Sequence, residues 1–237
     1  MNGNIYTNDK NEIMFGFSCC GHYYHILLKD ILYFESAGRK CILHTSESIT
    51  TYSFYGKLGD VADTLSDYGF IRCHQSYLVS VAHATDYHKG YITVGGHPIS
   101  VSEKYRRNII DLFCDNQSTE YLTDKKNKTT GNNPIGVLVC ISGQYKGSII
   151  RIYSDITYEI GRDEKECEIV IRLPYVSRKH LSLTYRNDGT YEINDHSHNG
   201  TYLIHDDDRA EKLTADNIVP SGSVICFGDR SLQYRLI

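Results

Sequence analysis

Three short motifs toward the end of the 237-residue chain carry residue types that can do chemistry together: Gly161-Arg162, Ser177-Arg178-Lys179-His180, and Asp195-His196-Ser197-His198-Asn199-Gly200-Thr201. An arginine guanidinium is a permanently charged, planar fork of donors that grips phosphate through two oxygens. A serine hydroxyl adds a neutral donor of short reach, and Arg178 sets a second cation beside it. Asn199 carries an amide that donates and accepts at once, which suits the backbone of an extended peptide. Gly200 permits the positive φ of a tight turn. The chemistry these types share is recognition of a phosphate on a peptide, and none of it needs a nucleophile or a general base.

The order and spacing of the three motifs, together with the closing run Gly222–Gly228 (GSVICFG), resemble a forkhead-associated (FHA) domain over residues 136–237. In that family arginine follows glycine at the end of one strand, SxxH opens the next loop and DxSxNGT forms a third. The resemblance implies an eleven-stranded β-sandwich whose loops at one end bind phosphothreonine peptides. Arg162, Ser177 and Arg178 would face the phosphate and Asn199 the peptide backbone. Gly161, His180, Gly200 and Thr201 would be structural, His180 as a buried hydrogen-bonding residue that fixes its loop. His196 and His198 flank Ser197 and either tune peptide choice or point into solvent. Asp206 to Asp208 reads as a hairpin tip.

The first half of the chain supplies a different set of elements. Apolar residues alternate or run together at 22–28 (HYYHILL), 31–35 (ILYFE), 40–44 (KCILH) and 50–55 (TTYSFY), which predicts strands. In KLGDVADTL, residues 57–65, the spacing of Leu58, Val61, Ala62 and Leu65 predicts a short amphipathic helix. FIRCH, SYLVS, YITV and HPIS read as further strands, with turns at Gly90 and Gly95-Gly96. Ser100 and Glu103 have the spacing of a capping box, ahead of a helix with Tyr105, Ile109 and Leu112 on one stripe.

The run ILYFES, the pattern F-x-R-x-H-x-S-x-L-V at Phe70 to Val79, and PISVSEKY before the last helix resemble a LytTR domain over residues 13–113. That family consists of DNA-binding modules of bacterial transcription regulators, with small antiparallel sheets whose loops enter successive major grooves. The resemblance puts three places on double-stranded DNA. One is the loop Ala37 to Cys41, with Arg39 and Lys40. The second is Gln75, whose amide can pair with adenine N6 and N7. The third is the start of the last helix, where Ser102 is followed by Lys104, Arg106 and Arg107. Charge clusters of this kind are also the ordinary solvated face of a helix.

Composition bounds the rest. Lys+Arg against Asp+Glu is 25 to 29 for the whole chain, 10 to 12 over residues 1–115 and 12 to 15 over residues 135–237. Phosphate neutralisation on DNA would therefore fall to local cation placement. The polar run from Asp115 to Pro134 reads as a flexible linker, residues 116–134, between domains at 1–115 and 135–237. It contains Thr119, Thr123, Thr129 and Thr130 as candidate phosphorylation sites. No apolar run reaches membrane-spanning length and the start MNGNIYTNDKNE lacks the form of a secretory signal, so a cytoplasmic protein is expected. The eight cysteines include no CxxC pair, only the adjacent Cys19-Cys20, and read as reduced thiols. His22 and His25 lack partners at ligand spacing, so neither a metal nor another cofactor is expected.

The expected fold is mainly β: an antiparallel domain with short helices, then a β-sandwich. The expected function is a transcription regulator that couples threonine phosphorylation to promoter binding. The alternative is a phosphopeptide adaptor whose first half serves dimerisation or partner contact without DNA. An enzyme finds no metal cluster, phosphate-cradling glycine loop or nucleophile elbow to rest on. The phosphorylated partner is another protein or the chain's own linker acting in trans, which would pair two copies on DNA.

Overall fold

The run ILYFES has no clean polar alternation because the strand it forms is covered on both faces. It is β4 of the computed structural model, which describes residues 3–10, 12–46, 51–114 and 135–237. The chain divides into two compact units, residues 1–114 and 115–237. The expected linker and its four threonines lie outside the described residues.

In the first unit the strands are β1 (Gly3–Thr7), β2 (Ile13–Cys19), β3 (His22–Leu27), β4 (Ile31–Ala37), β5 (Lys40–Thr45) and β6 (Tyr52–Tyr55). After helix α1 (Leu58–Leu65) come β7 (Phe70–His74), β8 (Tyr77–Ser80), β9 (Ala84–His88), β10 (Tyr91–Val94), β11 (His97–Ser100) and helix α2 (Glu103–Cys114). They make three antiparallel sheets, β1-β2-β3, β6-β5-β4-β8-β7 and β11-β10-β9. The five-stranded sheet separates two cores. On one face Phe34, Leu43, Phe54 and Leu78 meet Phe15 and Phe17 of β2 and Leu58, Val61 and Leu65 of α1. On the other, Leu32, Cys73 and Val79 meet Ile92, Val94, Ile99 and Ile109. Aromatic rings dominate the first core; Phe15 meets Phe34 edge-on with ring centres 5.3 Å apart.

The expected capping box is displaced. Ser100 is the last residue of β11, and α2 begins at Glu103. Ser102 sits ahead of the helix instead, its carbonyl accepting the Tyr105 N–H at 2.9 Å and its own N–H donating to Cys73 O at 3.0 Å. Glu103 pairs forward with Arg106 at 3.1 Å rather than back onto a cap. Pairing of β10 with β11 extends through Tyr91 and Ser100, so the sheet claims the residue that local spacing offers to the helix.

The second unit has eleven strands in two sheets. They are β12 (Ile135–Ser142), β13 (Ile149–Tyr153), β14 (Thr157–Gly161), β15 (Ile169–Val170), β16 (Leu181–Tyr185), β17 (Thr190–Asp195), β18 (Thr201–Ile204), β19 (Ala210–Lys212), β20 (Asn217–Pro220), β21 (Val224–Phe227) and β22 (Gln233–Leu236). The six-stranded sheet runs β13-β12-β22-β21-β18-β19 and the five-stranded one β15-β14-β16-β17-β20. Their inner faces share one core, with Leu181, Leu183, Ile193, Ile225, Phe227 and Leu236 fully buried. Ile160 pairs with Leu181 and Leu181 with Asp195, so the ends of β14 and β17 and the start of β16 meet at one end of the sandwich. At the other end the buried Tyr191 hydroxyl accepts the Val137 N–H at 2.8 Å and donates to Ile237 O at 2.6 Å. Among the described residues no helix is long and apolar enough to cross a membrane.

Candidate phosphate-reading loops and candidate nucleic-acid interface

All three motifs of the second unit lie at the sandwich end where β14, β16 and β17 meet. Gly161 is there because nothing larger fits: a Cβ would stand 2.1 Å from Arg178 O and 2.8 Å from Cys167 Sγ. That close approach docks the 177–180 loop on the end of β14. The Arg162 N–H donates to Ser177 O at 3.0 Å, the Asp163 N–H to Arg178 O at 3.2 Å, and the Cys167 thiol to the same oxygen at 3.1 Å.

His180 fixes the other side of this loop. It is fully buried against Phe227, and its Nδ1 accepts the Ser177 N–H at 3.0 Å. That bond requires an unprotonated Nδ1. Burial accordingly holds the imidazole below its usual pKa, against an opposing pull from Asp195 and the Gly200 carbonyl.

In the 195–201 loop the Asp195 carboxylate takes the Ser197 N–H at 3.3 Å and the buried Thr201 hydroxyl at 2.9 Å. Ser197 Oγ takes the Gly200 N–H at 2.7 Å, closing the turn at Gly200, whose φ is +87°. Asn199 Nδ2 donates one hydrogen to Tyr175 O at 2.8 Å, which fixes the amide and leaves Oδ1 to accept and the second Nδ2 hydrogen to donate. His196 turns to Ser182, 2.7 Å away, and His198 is exposed, its N–H donating to Ser177 Oγ at 3.0 Å.

This last bond matters for the chemistry. Ser177 Oγ already accepts, so its hydroxyl hydrogen is left to donate outward. On the same loops the exposed side chains of Arg162 and Arg178 have no side-chain partner among the described residues, whereas neighbouring Arg172 and Lys179 are paired with Glu164 and Glu159. The arrangement is a pair of free cations and one free hydroxyl donor on a loop platform fixed from beneath.

In the first unit, three candidate elements share one end of the five-stranded sheet. The β4–β5 hairpin presents the exposed Arg39 and Lys40, with Lys40 Nζ 5.1 Å from the Tyr55 ring centre. The β7–β8 hairpin presents the exposed Gln75. The Ser36 N–H donates to Ser76 O at 2.8 Å and ties these two hairpins, and the Ser102–Cys73 bond brings in the start of α2. There Lys104 and Arg107 are exposed, Lys104 lying 5.3 Å from the Tyr105 ring centre. Arg106 is drawn into its pair with Glu103.

Arg72 joins the group although sequence reasoning did not select it. Its Nη2 donates to Gln75 O at 2.6 Å and its Nε to His74 O at 3.2 Å, while the guanidinium lies 5.9 Å from the Tyr105 ring centre. One side chain thus braces the Gln75 turn against α2.

Family comparison matches residues 21–113 to the LytTr DNA-binding domain and residues 158–228 to the FHA domain. The chain joins a LytTR domain to an FHA domain. No curated protein matches it. Among solved structures, an FHA domain from Chlamydia trachomatis is 22% identical, with a TM-score of 0.38, covering 44% of this chain and 96% of its own. An S. cerevisiae FHA domain solved in complex with a phosphothreonine peptide is 21% identical, TM-score 0.36, covering 44% and 92%. The LytTr DNA-binding domain of a Bacillus cereus methyl-accepting/DNA response regulator is 20% identical, TM-score 0.37, covering 42% and 95%.

Tyr175 and Cys167 of the FHA domain, like Arg72 of the LytTR domain, escaped the sequence reading. Cys167 and Arg72 act on backbone carbonyls, and Tyr175 lends its own carbonyl to Asn199. Such partners carry no side-chain signature.

Proposed function

We propose that the protein is a transcription regulator, acting in the bacterial cytoplasm, that binds double-stranded DNA through its LytTR domain and a threonine-phosphorylated protein through its FHA domain. The observation that carries the reading is the free Arg162–Arg178 pair with the Ser177 hydroxyl, on loops fixed without help from either cation. Arg162 and Arg178 grip the phosphate oxygens, Ser177 donates to a third, and Asn199 Oδ1 accepts a peptide N–H. Gly161, His180, Gly200 and Thr201 hold the platform. On the DNA side Gln75 reads an adenine edge, while Arg39, Lys40, Lys104 and Arg107 meet phosphates and Ser102 sets the start of α2. No cofactor or catalytic step takes part.

Calorimetry of the full chain with a phosphothreonine peptide library and its unphosphorylated counterpart tests the FHA half. Equal, weak binding of both would overturn it. Selection of preferred sequences from random duplexes at low salt tests the LytTR half.

One observation favours a second reading, an adaptor that uses the LytTR fold for protein contact. Arg72 and Arg106 are committed within the domain and its charge balance is acidic, which leaves few cations for the phosphates of DNA. Failure to enrich any DNA motif would select it. In either reading the partner phosphothreonine can lie on a second copy's linker, pairing two chains in trans.

A further inference from the structure

Cys19 ends β2 opposite His22 of β3, so the chain reverses in two residues, Cys20 and Gly21, with φ of +50° and +81°. Positive φ at both positions of a two-residue hairpin is what Asn-Gly and Asp-Gly provide, and cysteine adopts it reluctantly. The turn nevertheless sets two thiols side by side, with the sulfurs 3.7 Å apart. Cys20 is exposed and Cys19 half-buried, whereas Cys41, Cys73, Cys140, Cys167 and Cys226 are buried. No third histidine, cysteine or carboxylate among the described residues joins the pair to make a metal site. What remains is the chemistry of two adjacent thiols.

We propose that Cys19 and Cys20 form a redox-active vicinal dithiol, converted to a reversible disulfide within the turn by a low-molecular-weight disulfide such as oxidised glutathione. The exposed Cys20 thiol gives up its proton and its sulfur attacks one sulfur of the external disulfide. A mixed disulfide forms on Cys20, and the first glutathione leaves as a thiolate that takes up a proton. Cys19 then loses its proton, and its sulfur displaces the second glutathione from Cys20. The protein pair is oxidised by two electrons, one external disulfide is reduced to two thiols, and the two protons leave with them.

The order of attack follows from the surroundings. The hydrogen bond to Cys20, and then burial, raise the Cys19 thiol above its usual pKa, while the Ser53 backbone and Lys40 pull it down. Cys20 is the sulfur an external disulfide can reach. Reversibility follows from covalent geometry. Adjacent Cα atoms stand about 3.8 Å apart across a trans peptide, short of the roughly 4.4 to 6.8 Å that disulfides normally span. The ring is therefore strained and yields readily to reductant. The proposal holds whether or not the LytTR domain meets DNA.

The test uses the reduced full chain, exposed to oxidised glutathione, quenched in acid, alkylated and mapped by peptide mass. The expected peptide has lost two hydrogens across Cys19 and Cys20, retains no glutathione, and recovers both alkylation sites after mild reduction. Cys19→Ser should trap glutathione on Cys20, and Cys20→Ser should abolish both products. Cys20→Gly, which suits the turn's positive φ, should abolish them too and guards against a loss caused by misfolding. Stable glutathione on wild-type Cys20, an unreactive Cys20, or a disulfide that links Cys20 to a second chain would overturn the proposal.

Discussion

Arg162 and Arg178 stand idle in the FHA domain while Asp195, Ser197, Asn199 and His180 hold the loops; in the LytTR domain Arg72 is itself part of the scaffold and Arg106 is paired along α2 with Glu103. The two surfaces would therefore meet a charged ligand in different ways. The FHA loops are held without these cations, so a phosphate bound there would gain two of them without displacing an internal partner. The LytTR sheet end is divided between cations that hold hairpins and cations that are free. Its response to substitution should therefore mix affinity with shape.

The most damaging way to break the contrast is Gly161→Ala. The added methyl would press on Arg178 O, so the FHA domain should lose about 3 kcal/mol of stability and its phosphopeptide binding together. Chemical denaturation of the full chain, followed by calorimetry, reads both. Arg162→Ala should separate them. It should cost about 1.5 to 3 kcal/mol of binding, or roughly 10- to 150-fold in affinity, with the melting temperature unmoved. A drop in melting temperature would mean that the cation is holding the loop after all.

On the LytTR side, Gln75→Ala should relax preference at one base pair by about 1 to 3 kcal/mol. Arg72→Ala should relax preference across several positions, because the whole turn loses its brace. Parallel sequence selections with the two variants compare the breadth of change. Lys104→Ala should weaken all sequences alike and lower the salt slope by about 1.

The smallest effect is in pH. Burial depresses His180 in the FHA domain, and His83 and His44 in the LytTR domain, with Glu35 partly opposing at His44. An imidazole held neutral by the fold contributes stability that is present above its ordinary value of about 6.5. That stability is lost as pH falls from there through the depressed folded value. Both domains should therefore melt earlier on acidification below neutrality. The Ser177 loop should loosen with the FHA domain, since protonation at Nδ1 removes its acceptor. Thermal scans across that window, with amide signals of Ser177 followed by NMR, check the sign.

The FHA site was largely legible because its motifs are dense in special residues whose jobs are local: Gly161, Gly200, and the Asp195 carboxylate two and six residues from the groups it holds. The bond that fixes the Asn199 amide was not legible, because Tyr175 O belongs to a distant loop. In the LytTR domain the strands of the hairpins at Arg39 and Gln75 followed from apolar runs and alternation, but β1, β2 and β9 did not. Gly3–Thr7 mixes exposed and half-buried positions and Ala84–His88 follows one buried residue with mostly exposed ones, both without clean periodicity, so only sheet pairing reveals them. The start of α2 moved two residues because β11 competed for Ser100. Local spacing cannot register such a competition.

Residues 137 and 237 exchange both backbone hydrogen bonds, at 2.9 and 2.8 Å, and Tyr191 clasps the pair at the sandwich end away from the phosphate-reading loops. The first and last strands of the FHA domain therefore meet at a single seam. A unit closed in this way behaves as a cassette: it can be spliced into a host loop, or re-cut so that its strands begin elsewhere, without stretching its framework. Within the domain the candidate loops lie at the opposite pole from that seam, so such a re-cut would leave them untouched.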